Sequence, residues 1–99
     1  MKVSLSESAL KDLQDIKDYY FEQGVPEVGS KFIAAIFDHI GTLANHPGIG
    51  RMVPEFDENH IRELIHPPFR IIYLRGKKAI QIIRVWRSER VLRLEENET

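Results

Sequence analysis

From Ala9 the apolar positions step by four, three and four, through Leu13 and Ile16 to Tyr20. That spacing is one face of a helix; Asp12, Asp15, Lys17 and Asp18 fill the other side. Ser4-Leu5-Ser6-Glu7 offers a capping box at its start, with Ser6 as a second N-cap candidate. Ahead of it, Lys2 to Ser6 alternates and is a candidate short strand. Gly24 stops the helix. Pro26 reads as the first turn of a second one, where its missing N–H costs nothing. The stripe Val28, Phe32, Ile33, Ile36, Phe37, Ile40 and Leu43 is wide enough to face a core along most of its length. Asn45-His46-Pro47-Gly48 ends it. So short a join makes the two helices an antiparallel hairpin.

After Gly50 the period changes from 3.6 to 2. Arg51-Met52-Val53 is a short strand candidate stopped by Pro54, and Glu55 to Asn59 is a polar loop. Ile61 to Ile65 and Phe69 to Leu74 read as strands, separated by His66-Pro67-Pro68. Arg75-Gly76-Lys77-Lys78 is a turn, and Ala79 to Trp86 or Arg87 is the last strand. Consecutive strands with short turns imply an antiparallel meander. The expected fold class is α+β, with the N-terminal helical hairpin packed on one face of a small antiparallel sheet. On the strand from Phe69, residues Phe69, Ile71 and Tyr73 share one face and Arg70, Ile72 and Leu74 the other. On the last strand Arg84 and Trp86 oppose Ile83 and Val85. Both faces carry apolar residues, so alternation alone leaves the buried one open.

Ninety-nine residues make a single domain, 1–99, with one modest core. The chain has no cysteine, which excludes disulfides and thiolate chemistry. The N-terminus lacks the apolar run of a signal peptide and no stretch approaches a membrane span, so a cytoplasmic protein is expected. The net charge of −1 conceals a segregation: every one of the arginines lies at or after Arg51, behind an acidic first half and ahead of the acidic tail EENET. Long amphipathic side chains that shield strand edges produce such a pattern, and so does an anion-binding or partner-binding face.

Few residues suggest chemistry. His39, His46, His60 and His66 have no tight ligand spacing, so they read as surface or boundary histidines and no metal site is expected. Gly48-Ile49-Gly50 lacks a third glycine and a following helix, so it is a turn and not a phosphate cradle. There is no GxSxG elbow, and Tyr19 and Tyr20 read as packing residues. What remains is Glu55 amid Arg62, Arg70, Arg84, Arg87 and Arg90. One carboxylate among guanidiniums has the logic of a general base beside phosphate-binding arginines. Such a reaction also needs a general acid, which arginine supplies poorly, and WRSERVLRLEENET after Val85 holds neither histidine nor tyrosine. A direct nucleic-acid binder is disfavoured by the near-zero net charge and the scarcity of stacking aromatics in the basic half.

Five short patterns follow one another over about 80 residues: Ala9, Asp12, Leu13 and Ile16 as A-x-x-D-L-x-x-I; Leu43, Pro47 and Gly50 as L-x-x-x-P-x-x-G; R-E-L at 62–64; F-R-I-I-Y at 69–73; and I-I-R-V-W-R-S-E-R at 82–90. None is specific alone. In this order the chain resembles the RelE/ParE superfamily of bacterial type II toxins, whose fold agrees with the one read from periodicity. The RelE-like branch is similar to ribosome-dependent mRNA endoribonucleases. There the resemblance places a base on Glu55 and a phosphate-binding arginine on Arg70, and the closing histidine and tyrosine fall near Ser88 and Glu89, where this chain departs from the pattern. The ParE-like branch resembles inhibitors of DNA gyrase. Its terminal strand pattern fits Trp86, Ser88 and Arg90, with Arg87 and Glu89 as variations. The resemblance implies a ParE-like toxin that inhibits gyrase without catalysis or cofactor and forms a hetero-oligomer with a ParD-like antitoxin. Nucleic acid is then involved only indirectly and no membrane is. The expected partner-binding residues are Arg62, Arg70, Arg84, Trp86, Arg87 and Arg90.

Overall fold

The computed structural model describes residues 1–56 and 58–87. Two helices, α1 (Glu7–Glu22) and α2 (Pro26–Gly41), follow the strand β1 (Lys2–Leu5). A turn of 3₁₀ helix at Thr42–Ala44 leads to β2 (Arg51–Met52), β3 (Ile61–His66), β4 (Phe69–Arg75) and β5 (Ala79–Arg87). The strands form one sheet in the order β1-β5-β4-β3-β2. The strands from β2 to β5 make the antiparallel meander read from the pattern. β1 returns beside β5 and runs parallel to it, Lys2 opposite Ala79 and Leu5 opposite Ile82, so the sheet is mixed and not wholly antiparallel. The helical hairpin carries the chain from β1 to β2 at the opposite edge and the meander returns it to β5, which together make the long connection that a parallel pair requires.

The local signals act where physics places them. Ser6, not Ser4, caps α1: its Oγ accepts from the Ala9 N–H at 3.1 Å. The same hydroxyl donates to the Ile83 carbonyl at 3.2 Å, and the Ser6 N–H donates to the Ile82 carbonyl at 2.9 Å, which ties the helix start to β5. Gly24 ends α1 at φ 81°, a left-handed conformation that costs glycine little. The N–H of Val25 then reaches the Tyr20 carbonyl and that of Gly24 the Phe21 carbonyl, a Schellman closure. Pro26 opens α2 as expected.

Ala9, Leu13 and Ile16 of α1 and Ile36 and Ile40 of α2 pack with Leu43 on Leu64, Phe69, Ile71, Tyr73, Ile80, Ile82 and Val85. This settles the faces of β4: Phe69, Ile71 and Tyr73 meet the helices. Ile72 on the opposite face is buried as well. Two details depart from simple alternation. Opposite Ile72–Tyr73 the register of β5 slips, pairing Ile72 with Arg84 and Tyr73 with Ile82, so Ile83 is the extra residue of a bulge. The bulge is why Ile82 and Val85, three apart, both enter the core. Phe37, counted in the α2 stripe, is 44% exposed. Among the described residues no helix is long and apolar enough to cross a membrane.

Candidate functional site

Arg70 is the second residue of β4, on the face turned from the helices. The register sets Arg51 of β2 opposite Glu63 of β3, and Glu63 opposite Ile72 of β4. Arg51, Glu63 and Arg70 therefore share that face. The Arg70 Nε donates to Glu63 Oε1 at 2.7 Å, and the Arg51 Nε donates to Glu63 Oε2 at 2.7 Å. Glu63 thus has both oxygens bonded to guanidinium while its side chain has no exposure. The Arg70 terminal nitrogens grip Glu55, Nη1 to Oε2 at 2.9 Å and Nη2 to Oε1 at 3.0 Å. This is a two-pronged pair of the strong kind. The hydrogen bond from Arg70 holds the Glu55 carboxyl below its ordinary value. The same bond to Glu55, helped by Glu63, pushes the Arg70 guanidinium further up.

The C-terminal end of β5 is built differently. Arg84 donates through Nε and Nη2 to the two oxygens of Asp12 on α1, at 2.8 and 2.9 Å. Asp12 also accepts from the Val85 N–H at 2.9 Å. It thereby satisfies the backbone of β5 beyond the point where β1 stops, and its hydrogen bond raises the Arg84 guanidinium. Arg84 lies 5.0 Å from the centre of the Trp86 ring, a cation–π pair. Arg87 points to the other face. Its guanidinium sits 5.5 Å from the Tyr19 ring and 5.6 Å from the Phe69 ring, and donates to the Tyr20 hydroxyl at 3.2 Å. Tyr19 is 49% exposed there. Tyr20 packs on Phe32, and the half-exposed Tyr19 packs edge-on against Tyr20.

The residues singled out by sequence therefore do not form one patch. Arg84, Trp86 and Arg87 surround the end of β5 on two faces. Arg70 is turned inward with all three nitrogens engaged. Arg62, at the start of β3, belongs to the other end of the sheet and bonds Asn59 and the Gly50 carbonyl. Arg90, with Ser88 and Glu89, lies outside the described residues. Glu55 and Arg70, the pair of the RelE-like reading, are in direct contact. Two residues escaped the sequence reading. Glu63 stood only inside the R-E-L pattern, and a charged residue between strand neighbours gave the signal without its meaning. Asp12 was assigned to the polar side of α1; its partner is 72 residues away.

Among the described residues no group of three or more histidine or acidic side chains is placed to hold a metal ion. His39 and His66 meet through Nδ1 at 3.0 Å between α2 and β3. Burial, and then the neighbouring His66, lowers the His39 value.

The family described as ParE toxin of type II toxin-antitoxin system, parDE, matches residues 3–92. The chain belongs to that family. It is similar to a solved structure titled "Chromosomal ParDE TA system from P. aeruginosa", at 27% identity and a TM-score of 0.73, over 88% of this chain and 95% of that one. No curated protein matches.

Proposed function

We propose that this toxin arrests growth by inhibiting DNA gyrase through the C-terminal end of β5, and that a ParD-like antitoxin covers it until released. It acts in the cytoplasm, where gyrase is. The observation that carries the reading is the state of Arg70. A phosphate-binding arginine needs exposure and an uncompensated charge, and here Arg70 is buried with its guanidinium shared between the carboxylates of Glu63 and Glu55. A general base needs an accessible lone pair and a value near the working pH; Glu55 is clasped through both oxygens and held low. These residues thus suit a structural brace better than catalysis.

Arg84, Trp86 and Arg87 suit a protein partner. Each is half-buried and held in place, so little side-chain entropy remains to be lost on binding, and arginine and tryptophan are the residues enriched at binding hot spots. Acidic antitoxin side chains pair with such guanidiniums, and truncating one of a desolvated pair typically costs ~2–5 kcal/mol. Arg70 supports this face from within, opposite Trp86 in the register.

The second reading is a ribosome-dependent endoribonuclease using Glu55 and Arg70, favoured by their direct contact. Two assays separate the readings: gyrase supercoiling with purified toxin, and growth arrest by the Glu55→Ala variant. Inhibited supercoiling and unchanged arrest are expected. Untouched supercoiling together with loss of arrest in Glu55→Ala would transfer the function to the ribosome.

A further inference from the structure

The end of the sheet opposite Arg87 carries a second group of cations. Asn59, His60, Arg62, Arg75, Gly76 and Lys77 line an open cleft of about 450 Å³. The register builds it. Arg62 lies opposite Tyr73, and the Arg75 N–H donates to the His60 carbonyl at 2.8 Å, so the start of β3 and the end of β4 meet beside the turn into β5. Arg75 pairs with Ile80 and Arg62, through Tyr73, lies level with Ile82, so the cleft sits five to seven residue steps of roughly 3.3 Å, about 16–23 Å, from Arg87.

Arg62 is fixed there by neutral acceptors. Its Nε donates to the Asn59 carbonyl at 3.0 Å, Nη2 to Asn59 Oδ1 at 2.7 Å and Nη1 to the Gly50 carbonyl at 3.1 Å. A guanidinium has five donors, so two are left over. Arg51, Arg70 and Arg84 each pair with a carboxylate. Among the described residues none pairs with Arg62, Arg75 or Lys77; Glu58 at the rim meets His60 at 3.2 Å.

We propose that this cleft binds a phosphate group. Its cations arrive from β3, from β4 and from the following turn, a three-dimensional arrangement that suits a tetrahedral dianion better than a planar carboxylate. Its only ring is the His60 imidazole, and no phenylalanine, tyrosine or tryptophan lines it, so the cations and not base stacking set what it binds. The phosphate belongs either to a free polyphosphate or to a nucleic-acid backbone, and both are testable. This inference stands apart from the gyrase reading, because the cleft uses none of the β5 residues.

The test is calorimetric titration of the full chain with sodium tripolyphosphate, and separately with a short DNA duplex. Both are repeated on an Arg75→Gln, Lys77→Gln variant. Both side chains are exposed, and neither makes a side-chain hydrogen bond or ion pair among the described residues, so the variant keeps the wild-type melting temperature. The expected result is saturable, salt-sensitive binding that the variant weakens at least about tenfold, with gyrase inhibition unchanged. Loss confined to the duplex assigns the phosphate to nucleic acid, and loss with tripolyphosphate assigns it to a small ligand. Absence of binding by both probes at about millimolar concentration, or equal binding by the variant, overturns the proposal.

Discussion

Replacing Arg70 with methionine separates a brace from a catalytic residue. The change keeps the apolar stem and removes the guanidinium. Glu63, with no side-chain exposure, then keeps only Arg51, whose own side chain is 62% exposed. Breaking a buried pair from one side costs about 3–5 kcal/mol, because a charge is left behind without its partner. Glu55 is 48% exposed; water replaces its contact, and Glu55→Gln costs about 1 kcal/mol or less. In a chain of this size 1 kcal/mol moves the melting temperature by roughly 4–8 °C, so Arg70→Met lowers it by at least about 12 °C. Urea denaturation followed by circular dichroism reads both variants. Adding Glu63→Gln to Arg70→Met recovers part of the loss, since a buried amide without its partner costs less than a buried carboxylate. Arg70→Met within about 1 kcal/mol of wild type, or Glu55→Gln costing as much as Arg70→Met, refutes the brace.

Acid acts first through the histidine pair. His39 is held below its ordinary value of 6.5, so the unfolded chain takes up a proton that the folded one refuses. Stability is therefore full above pH 6.5 and falls as the pH drops below it, and His39→Gln flattens that fall in melting curves against pH. Glu55, held below its ordinary 4.5 by Arg70, adds a second loss as the pH falls through its folded value, and Glu55→Gln removes it. Gly50→Ala destabilises: its Cβ would lie 2.5 Å from the Tyr73 hydroxyl and 2.7 Å from the Glu63 carbonyl, a backbone atom held in the sheet. Tyr73→Phe leaves the buried Gly50 N–H without the hydroxyl it reaches at 3.1 Å and costs about 1–3 kcal/mol in the same denaturation assay. Asp12→Ala frees both Arg84 and the Val85 N–H and costs about 1–3 kcal/mol, while Asp12→Asn retains an acceptor for Val85 and costs less.

The helices were legible because their signals are local. The four-three-four step of α1, Gly24 and Pro26 each act within a turn or two. The choice between Ser4 and Ser6 was not legible, because Ser6 is fixed partly by its bonds to Ile82 and Ile83. Strand existence was likewise visible as period 2, but not the parallel pairing of β1 with β5, which joins residues 77 apart. The bulge at Ile83 shifted the last strand by one place, and that decided which arginines share a face. The ion pairs were the least visible part. A string of arginines gives no sign of which carboxylates will meet them, and burial turned Arg70 from a candidate contact into an internal partner of Glu55 and Glu63. The family resemblance supplied the class of the protein that spacing alone did not.

The measurement that bears most directly on function is gyrase supercoiling of relaxed plasmid, with ATP, by purified wild-type toxin, Glu55→Gln and Arg84→Ala, Arg87→Ala. Wild type and Glu55→Gln are predicted to inhibit equally, with cleaved plasmid accumulating, and the double arginine variant, still folded, to lose inhibition. Normal supercoiling in the presence of folded wild-type toxin that still arrests growth would contradict the gyrase assignment.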